Sequence, residues 1–130
     1  MRRQAPLPAP DGAFDADAVW TLFEGKTERM RQVWRITRST LPGYMDSLSI
    51  AVELADWAAA ARHAHSLAGS ASNFGAHALV ATARRIEDRA GEGDVPVDEV
   101  HLARTQFDAL CTAMSTWLDQ VSSPGAPSAG

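Results

Sequence analysis

Hydrophobic residues recur at helical spacing along the middle of the chain, from about Phe14 to Val121. In each segment they fall at i, i+3, i+4 and i+7, the spacing that aligns side chains on one face of an α-helix. Alternating β-branched runs, which are typical of strands, are missing. Short connections between long amphipathic helices favour antiparallel neighbours. The pattern therefore predicts an all-α fold, an up-and-down four-helix bundle with a short additional N-terminal helix. The helices are expected at about 15–24, 26–41, 57–73, 76–90 and 97–121.

Three residues mark predicted helix ends. Pro42 has no backbone N–H and its ring clashes with the preceding turn, so the second helix is expected to kink or break there before the apolar pattern resumes. Asp56 is placed to act as the N-cap of the third helix. Gly75 is placed to end that helix in the left-handed conformation, which glycine adopts without steric cost. The third helix therefore has well-marked signals at both ends.

The two ends of the chain lack helical periodicity. Residues 1–12 are rich in proline, and residues 122–130 consist of Ser, Pro, Gly and Ala. Both compositions are typical of flexible tails. We therefore expect one helical domain at 13–121 between two flexible tails, and these tails together with the initial Met favour a separate chain.

Composition narrows the functional classes. The chain has 130 residues, 45% of them apolar, which suits one domain with a buried core. It carries 12 basic and 16 acidic side chains, a net charge of −4, which argues against a nucleic-acid binder. Cys111 is the single cysteine, so an internal disulfide is excluded and a reducing compartment is favoured.

Membrane and export segments are also not expected. The longest stretch without Asp, Glu, Lys or Arg is 63–83, and its His, Ser, Asn and Gly residues make it too polar for a bilayer span. Prolines interrupt the N-terminus where a signal peptide needs an apolar run. The expected location is the cytoplasm, without membrane contact.

One histidine stands on an unusual face of the third helix. Helical geometry places His65 off the apolar arc, near the boundary with solvent, where an ordinary exposed face would carry Glu, Lys and Gln. Gly69 costs the helix about 1 kcal/mol relative to Ala, and close approach of a partner backbone would offset that cost. A neutral imidazole offers a nucleophilic nitrogen near pH 7. We therefore predict that a partner protein docks around His65 on small residues, namely Ala58, Ala61, Ala68, Gly69 and Ser72.

The run from His65 to Ala76 resembles the signature of histidine-phosphotransfer (Hpt) domains. That signature has His, any residue, Leu, Lys, Gly and two small residues, followed by a Gly-Ala helix junction ten residues after the His. In this chain Leu67, Gly69 and Gly75 stand at the matching positions. The resemblance implies a four-helix bundle in which His65 is phosphorylated and exchanges the phosphoryl group with receiver-domain aspartates in a multistep phosphorelay.

The resemblance also implies roles for other residues and for partners. Glu87 stands where the family has a hydrogen-bond acceptor for the second imidazole nitrogen. Helix spacing, and not the family pattern, makes Arg62, one turn before His65, or Arg84, one turn before Glu87, a candidate to supply positive charge near His65. The expected partners are response-regulator receiver domains, a hybrid histidine kinase, or both, with no small-molecule substrate. No cofactor and no metal are expected on this chain, because Mg²⁺ belongs to the receiver domain. No phosphate-binding glycine loop or ATP site is recognisable.

One departure from the family pattern keeps a second function open. Ala68 stands where the family usually has Lys, whose charge offsets that of the phosphoryl group. The leading interpretation is a phosphocarrier without kinase activity of its own. The alternative is a docking or regulatory module that binds a receiver or histidine kinase without efficient transfer. A purely structural bundle would leave the small residues around His65 unexplained. No group of residues indicates the active site of a metabolic enzyme.

The second helix begins with a concentration of positive charge. This segment contains five basic residues and only one acidic residue, Glu28. Such a segment is either a solvated helix face or a surface that steers an acidic partner electrostatically. The five are Lys26, Arg29, Arg31, Arg35 and Arg38. Elsewhere, His63 is expected to be a packed histidine, His77 and His101 surface residues, and Cys111 a buried structural thiol.

Overall fold

A computed structural model of the chain describes residues 4–122, and within them the predicted all-α fold is confirmed. The described part contains no strand. A single 3₁₀ turn at Pro10–Gly12 precedes the first α-helix. The five α-helices are α1 (Ala16–Leu22), α2 (Thr27–Glu53), α3 (Trp57–Ser72), α4 (His77–Gly91) and α5 (Val97–Ser122).

The four long helices form a closed ring around one core. Helix α3 packs against α2 and α4, and α5 completes the ring by packing against the same two helices. An aromatic cluster lies at one end of the core, where the ring of Phe74 meets those of Trp34 and Phe23 at centroid distances of 5.1 and 6.0 Å. The apolar stripe of each helix thus faces the ring's centre. Among its fully buried side chains are Met30, Leu41, Leu48, Leu67, Leu79, Ile86, Leu110 and Met114.

Helix α2 continues without a break past the proline predicted to interrupt it. Pro42 lies inside Thr27–Glu53, so the predicted break is wrong. Leu41 and Met45, on either side of it, are both buried, and their packing on the core outweighs the lost backbone hydrogen bond. In the preceding turn, Ser39 and Thr40 donate hydroxyl hydrogen bonds to the carbonyls four residues earlier. The result is one long helix that spans the whole bundle.

The N-terminal segment lies on the bundle. The indole Nε1 of Trp117 donates a hydrogen bond of 2.9 Å to the carbonyl of Leu7, and the backbone N–H of Ala5 donates to Asp17 at 2.6 Å. Residues 4–12, part of the tail predicted to be flexible, thus lie against α1 and α5, where the Leu7 carbonyl is the acceptor for a buried donor on α5. At the other end, Ser122 belongs to α5, and the predicted tail at 123–130 lies outside the described residues.

Asp15 fastens α1 to the junction between α3 and α4. Its carboxylate accepts a hydrogen bond from the backbone N–H of Ala18, which makes it the N-cap of α1, and lies 3.3 Å from Nε2 of His77. Its own N–H donates to the carbonyl of Gly75 at 2.9 Å. Gly75 has the predicted left-handed conformation, with φ of +59°. One residue, through its side chain and its backbone N–H, thus links α1 to the junction between α3 and α4.

We expect Asp15→Ala to lower the free energy of unfolding by about 1 kcal/mol at neutral pH, the usual cost of a lost N-cap. The Ala18 N–H and the His77 ring hold the pKa of the Asp15 carboxyl below its usual range. A carboxyl with a lowered folded-state pKa adds stability above its unfolded pKa and loses it as pH falls through the folded pKa. Urea unfolding should therefore show wild type and variant converging in acid.

Asp88→Ala provides the control for this comparison. Asp88 is exposed on α4 and forms no hydrogen bond or ion pair within the described part of the chain. Its replacement is expected to change the free energy of unfolding by less than about 0.5 kcal/mol. Equal effects of the two replacements at every pH would contradict the role given to Asp15.

Candidate functional site

The fold presents His65 to solvent at the middle of α3. The helix begins at a side-chain cap, where the Asp56 carboxylate accepts a hydrogen bond of 3.2 Å from the N–H of Ala59. Ala64 and Leu67, beside His65 in the sequence, are completely buried, and this fixes the rotation of the helix. The His65 side chain is 67% exposed. A reactant can therefore reach the imidazole without any opening of the bundle.

A carboxylate on the neighbouring helix holds one nitrogen of this ring. Nδ1 of His65 lies 3.0 Å from Oε2 of Glu87 on α4. An ionised carboxylate only accepts hydrogen bonds, so Nδ1 carries the proton in this contact. In the neutral ring Nε2 then keeps its lone pair. The arrangement prepares Nε2 as a nucleophile and stabilises positive charge that develops on the ring.

Arg84 completes a three-residue group at the site. Its Nη1 donates to Oε1 of Glu87 at 3.3 Å and lies 3.4 Å from Nδ1 of His65. Because Nδ1 donates to Glu87, the guanidinium is held by the carboxylate and stands beside the ring as a fixed positive charge. Arg62, the other arginine considered from the sequence, is exposed and makes no hydrogen bond or ion pair with another described residue. The structure therefore brings Arg84, not Arg62, to His65.

The small residues around His65 divide between surface and core. Ala58, Gly69 and Ser72 are exposed and Ala61 is half-buried, so these four remain available to a partner. The Ser72 hydroxyl donates to the carbonyl of Gly69 at 2.8 Å and so turns toward its own helix.

Ala68 does not belong to this surface, which corrects the sequence-based prediction. Its exposed area is 0%, as are those of Ala64 and Ala71 one turn before and after it. The three lie on the core side of α3. A lysine at this position would start from a buried Cβ and would need its whole length to reach solvent.

The remaining candidates lie apart from His65. His63 is half-buried, His101 is exposed, and His77 contacts Asp15. Cys111 is half-buried, less enclosed than predicted, and burial raises the pKa of its thiol.

Residues 4–122 contain neither a metal-binding cluster nor a membrane-spanning helix. In that part of the chain, no three or more His, Cys, Asp or Glu residues are grouped so that they could hold a metal ion. None of its helices has the length and apolar character needed to cross a membrane.

The choice between Arg62 and Arg84 is what sequence reasoning missed. Arg84 and Glu87 are three residues apart on α4, a spacing at which opposite charges meet on one helix face. Arg62 has no acidic residue at either helical spacing toward His65. That difference was a usable signal in the sequence.

Comparison with known proteins finds a matching family and similar relatives. The family model described as Hpt domain matches residues 32–122, more than half of the chain. The virulence sensor protein BvgS of Bordetella parapertussis is 32% identical over 123 residues, and BvgS of Bordetella pertussis is 32% identical over 125 residues. These matches cover 92% and 90% of this chain but only 10% of each relative, so the chain spans about a tenth of their length. No solved structure matches the chain.

Proposed function

This chain belongs to the Hpt domain family, whose members are histidine-phosphotransfer modules, and on that premise we propose that it is a phosphorelay intermediate. It accepts a phosphoryl group on His65 from a receiver-domain aspartate and passes the group to another receiver aspartate. The observation that carries the proposal is an exposed imidazole whose Nδ1 is held by Glu87 at 3.0 Å. The proposal includes receiver domains, a hybrid histidine kinase, or both as partners, and the cytoplasm as the location.

The proposed step is an in-line displacement at phosphorus. The lone pair of His65 Nε2 attacks the phosphorus of the aspartyl phosphate, the bond from phosphorus to the aspartate oxygen breaks, and the carboxylate leaves with the electron pair. The proton on Nδ1 stays between the ring and Glu87, which balances the positive charge of the phosphorylated ring. The same atoms in reverse pass the group to the next aspartate. We expect Mg²⁺ to be brought by the receiver domain.

The experiment that tests the proposal supplies the purified chain with a receiver domain carrying a labelled phosphoryl group. We expect acid-labile label to appear on this chain and, when a second receiver is added, to move on to that receiver. The docking alternative, favoured by Ala68 in place of the usual Lys, predicts binding without transfer. A stable complex with no label on this chain would therefore overturn the carrier proposal in favour of the docking module.

Arg84 is proposed to supply the charge that Ala68 lacks. We expect Arg84→Gln to slow phosphoryl transfer about tenfold, which corresponds to about 1.4 kcal/mol of transition-state stabilisation. Rapid-quench measurement of the labelling rate checks this. Arg62→Gln is the matched control, since it removes the same charge one turn away on α3, and its rate should stay within about twofold of wild type. Equal losses in both variants would contradict a specific role for Arg84.

Replacing Gly69 with Ala is expected to raise the stability of the fold and to weaken docking of the partner. It is helical and exposed, and an added Cβ would meet nothing within 4 Å. Gly69→Ala should therefore raise the free energy of unfolding by about 1 kcal/mol. The added methyl group should also obstruct a partner that packs closely on the small residues around His65. Chemical denaturation and labelling rates measure the two effects.

Gly43→Ala is the control for Gly69→Ala. Gly43 is also helical, exposed and open to an added Cβ, but it lies on α2. Its replacement should raise stability with no loss of transfer. Unchanged transfer in Gly69→Ala would contradict close docking at this position.

A further inference from the structure

A groove rich in arginine runs between α2 and α5, and we name it the arginine groove. It has a volume of about 280 Å³. Since His65 and Glu87 lie on the α3–α4 side of the ring of helices, the arginine groove lies on the side away from them. Its walls include Arg31, Trp34, Arg35 and Arg38 of α2 and Ser115 and Asp119 of α5.

Two of the three guanidinium groups in the groove have no acidic partner. Arg31 is anchored, because it donates to the carbonyl of Leu118 at 3.1 Å and lies 3.4 Å from Asp119. Arg35 and Arg38 form neither a hydrogen bond through their side chains nor an ion pair with any residue in 4–122. Like charges at i, i+4 and i+3 on one helix repel each other. Repulsion among these arginines therefore lowers the free energy of unfolding of the unbound chain.

A second and independent feature of the groove is an unsatisfied donor. The side chain of Trp34 lines the groove, yet the residue is only 4% exposed. Its buried Nε1–H has no acceptor in the described part of the chain. Buried N–H groups normally have an acceptor, because leaving one unpaired costs its full desolvation. The unpaired positive charge is therefore exposed in the groove, whereas the unpaired N–H of Trp34 is buried in its wall.

We propose that the arginine groove binds an acidic helical segment of a partner protein. Arg31, Arg35 and Arg38 stand at i, i+4 and i+7 and so span about 10 Å along α2. A helix laid along the groove presents carboxylates at the same spacing, so each of the three guanidinium groups can meet a carboxylate of its own. A segment bound there leaves His65 open, so this docking is separate from the proposed phosphotransfer.

The test uses two alanine-based peptides of identical composition. In one, glutamates lie at i, i+4 and i+7; in the other, the same glutamates are spread around the helix. We expect the first peptide to bind at least about tenfold more tightly to the full chain and to shift the indole N–H resonance of Trp34, assigned with Trp34→Phe. Equal affinity for the two peptides, or no binding of the first, would overturn the proposal.

Variants on α2 sharpen the test. The double variant Arg35→Gln and Arg38→Gln should lose at least about tenfold in affinity and should melt at a higher temperature than wild type, because the repulsion between like charges is removed. Arg29→Gln is the matched control, an exposed arginine of α2 that does not line the groove, and it should retain binding. An equal loss in Arg29→Gln would show a general charge effect and overturn the proposal.

Two further outcomes separate this proposal from others. Inorganic pyrophosphate that binds the chain and displaces the peptide at lower concentration would assign the groove to a compact anion and overturn a helical partner. His65→Gln should bind the peptide with unchanged affinity, whether or not phosphotransfer occurs. A loss of peptide binding in that variant would place the docking at His65 and overturn the assignment to the groove.

Discussion

His65→Gln is expected to abolish acid-labile phosphoryl label on this chain while leaving the helical fold intact. The ring is 67% exposed and contributes no core packing, so its loss changes little in the free energy of unfolding. Gln keeps a polar side chain at this position but has no nucleophilic nitrogen, so no phosphoryl bond can form. Label transfer from a phosphorylated receiver domain and far-UV circular dichroism measure the two parts of this prediction.

The other histidines provide the controls for that variant. His63→Gln removes an imidazole two residues away that is half-buried on another side of α3, and His77→Gln removes an exposed imidazole at the start of α4. Both variants should take up label at the wild-type rate. Label that persists in His65→Gln and disappears in one of these would move the phosphoacceptor to that residue.

Gly75→Ala is expected to destabilise the bundle by about 3 kcal/mol, the largest effect on stability that we predict. A residue with a side chain pays about 1–2 kcal/mol for the left-handed conformation that Gly75 adopts, with φ of +59°. The added Cβ would also lie 2.7 Å from Cβ of Asp15 and 3.0 Å from its backbone N, and overpacking of this kind costs about 1–3 kcal/mol. Because backbone is involved, a simple side-chain rotation does not relieve the clash.

Gly93→Ala separates the two contributions. Gly93 also has a positive φ, +77°, but an added Cβ would meet only the Trp57 ring at an ordinary distance of 3.7 Å. This variant should lose about 1–2 kcal/mol from conformation alone. Urea unfolding of both variants measures the difference, and a Gly75→Ala loss no greater than that of Gly93→Ala would show that α1 moves away from the junction at little cost.

The consequence of Gly75→Ala extends to the site. The carbonyl of Gly75 accepts the N–H of Asp15, and the turn at Gly75 sets how α4 returns along α3. That return places Glu87 and Arg84 beside His65. We therefore expect the variant to lose transfer activity beyond the fraction that is unfolded, since a displaced Glu87 no longer holds Nδ1.

The sequence by itself determined four of the five described α-helices and the local features of α3. Helical periodicity fixes the direction of each side chain about its own helix axis, and it was enough to predict the all-α fold. The N-cap at Asp56 and the left-handed Gly75 depend on neighbouring residues only, so they too were readable. The position of His65 off the apolar arc followed from the same geometry.

Only the tertiary structure decided which helices pack together and at which axial offset. The packing of α4 on α3 selected Arg84 instead of Arg62, and packing on the core carried α2 through Pro42. The same packing buried Ala68, laid the N-terminal segment on Trp117 through Leu7, and set the arginines of α2 beside α5 along a groove. Each of these contacts depends on the rotation and axial offset of one helix against another. Those two quantities are fixed by side chains that lie far apart in the sequence, and the periodicity of a single helix carries no information about them.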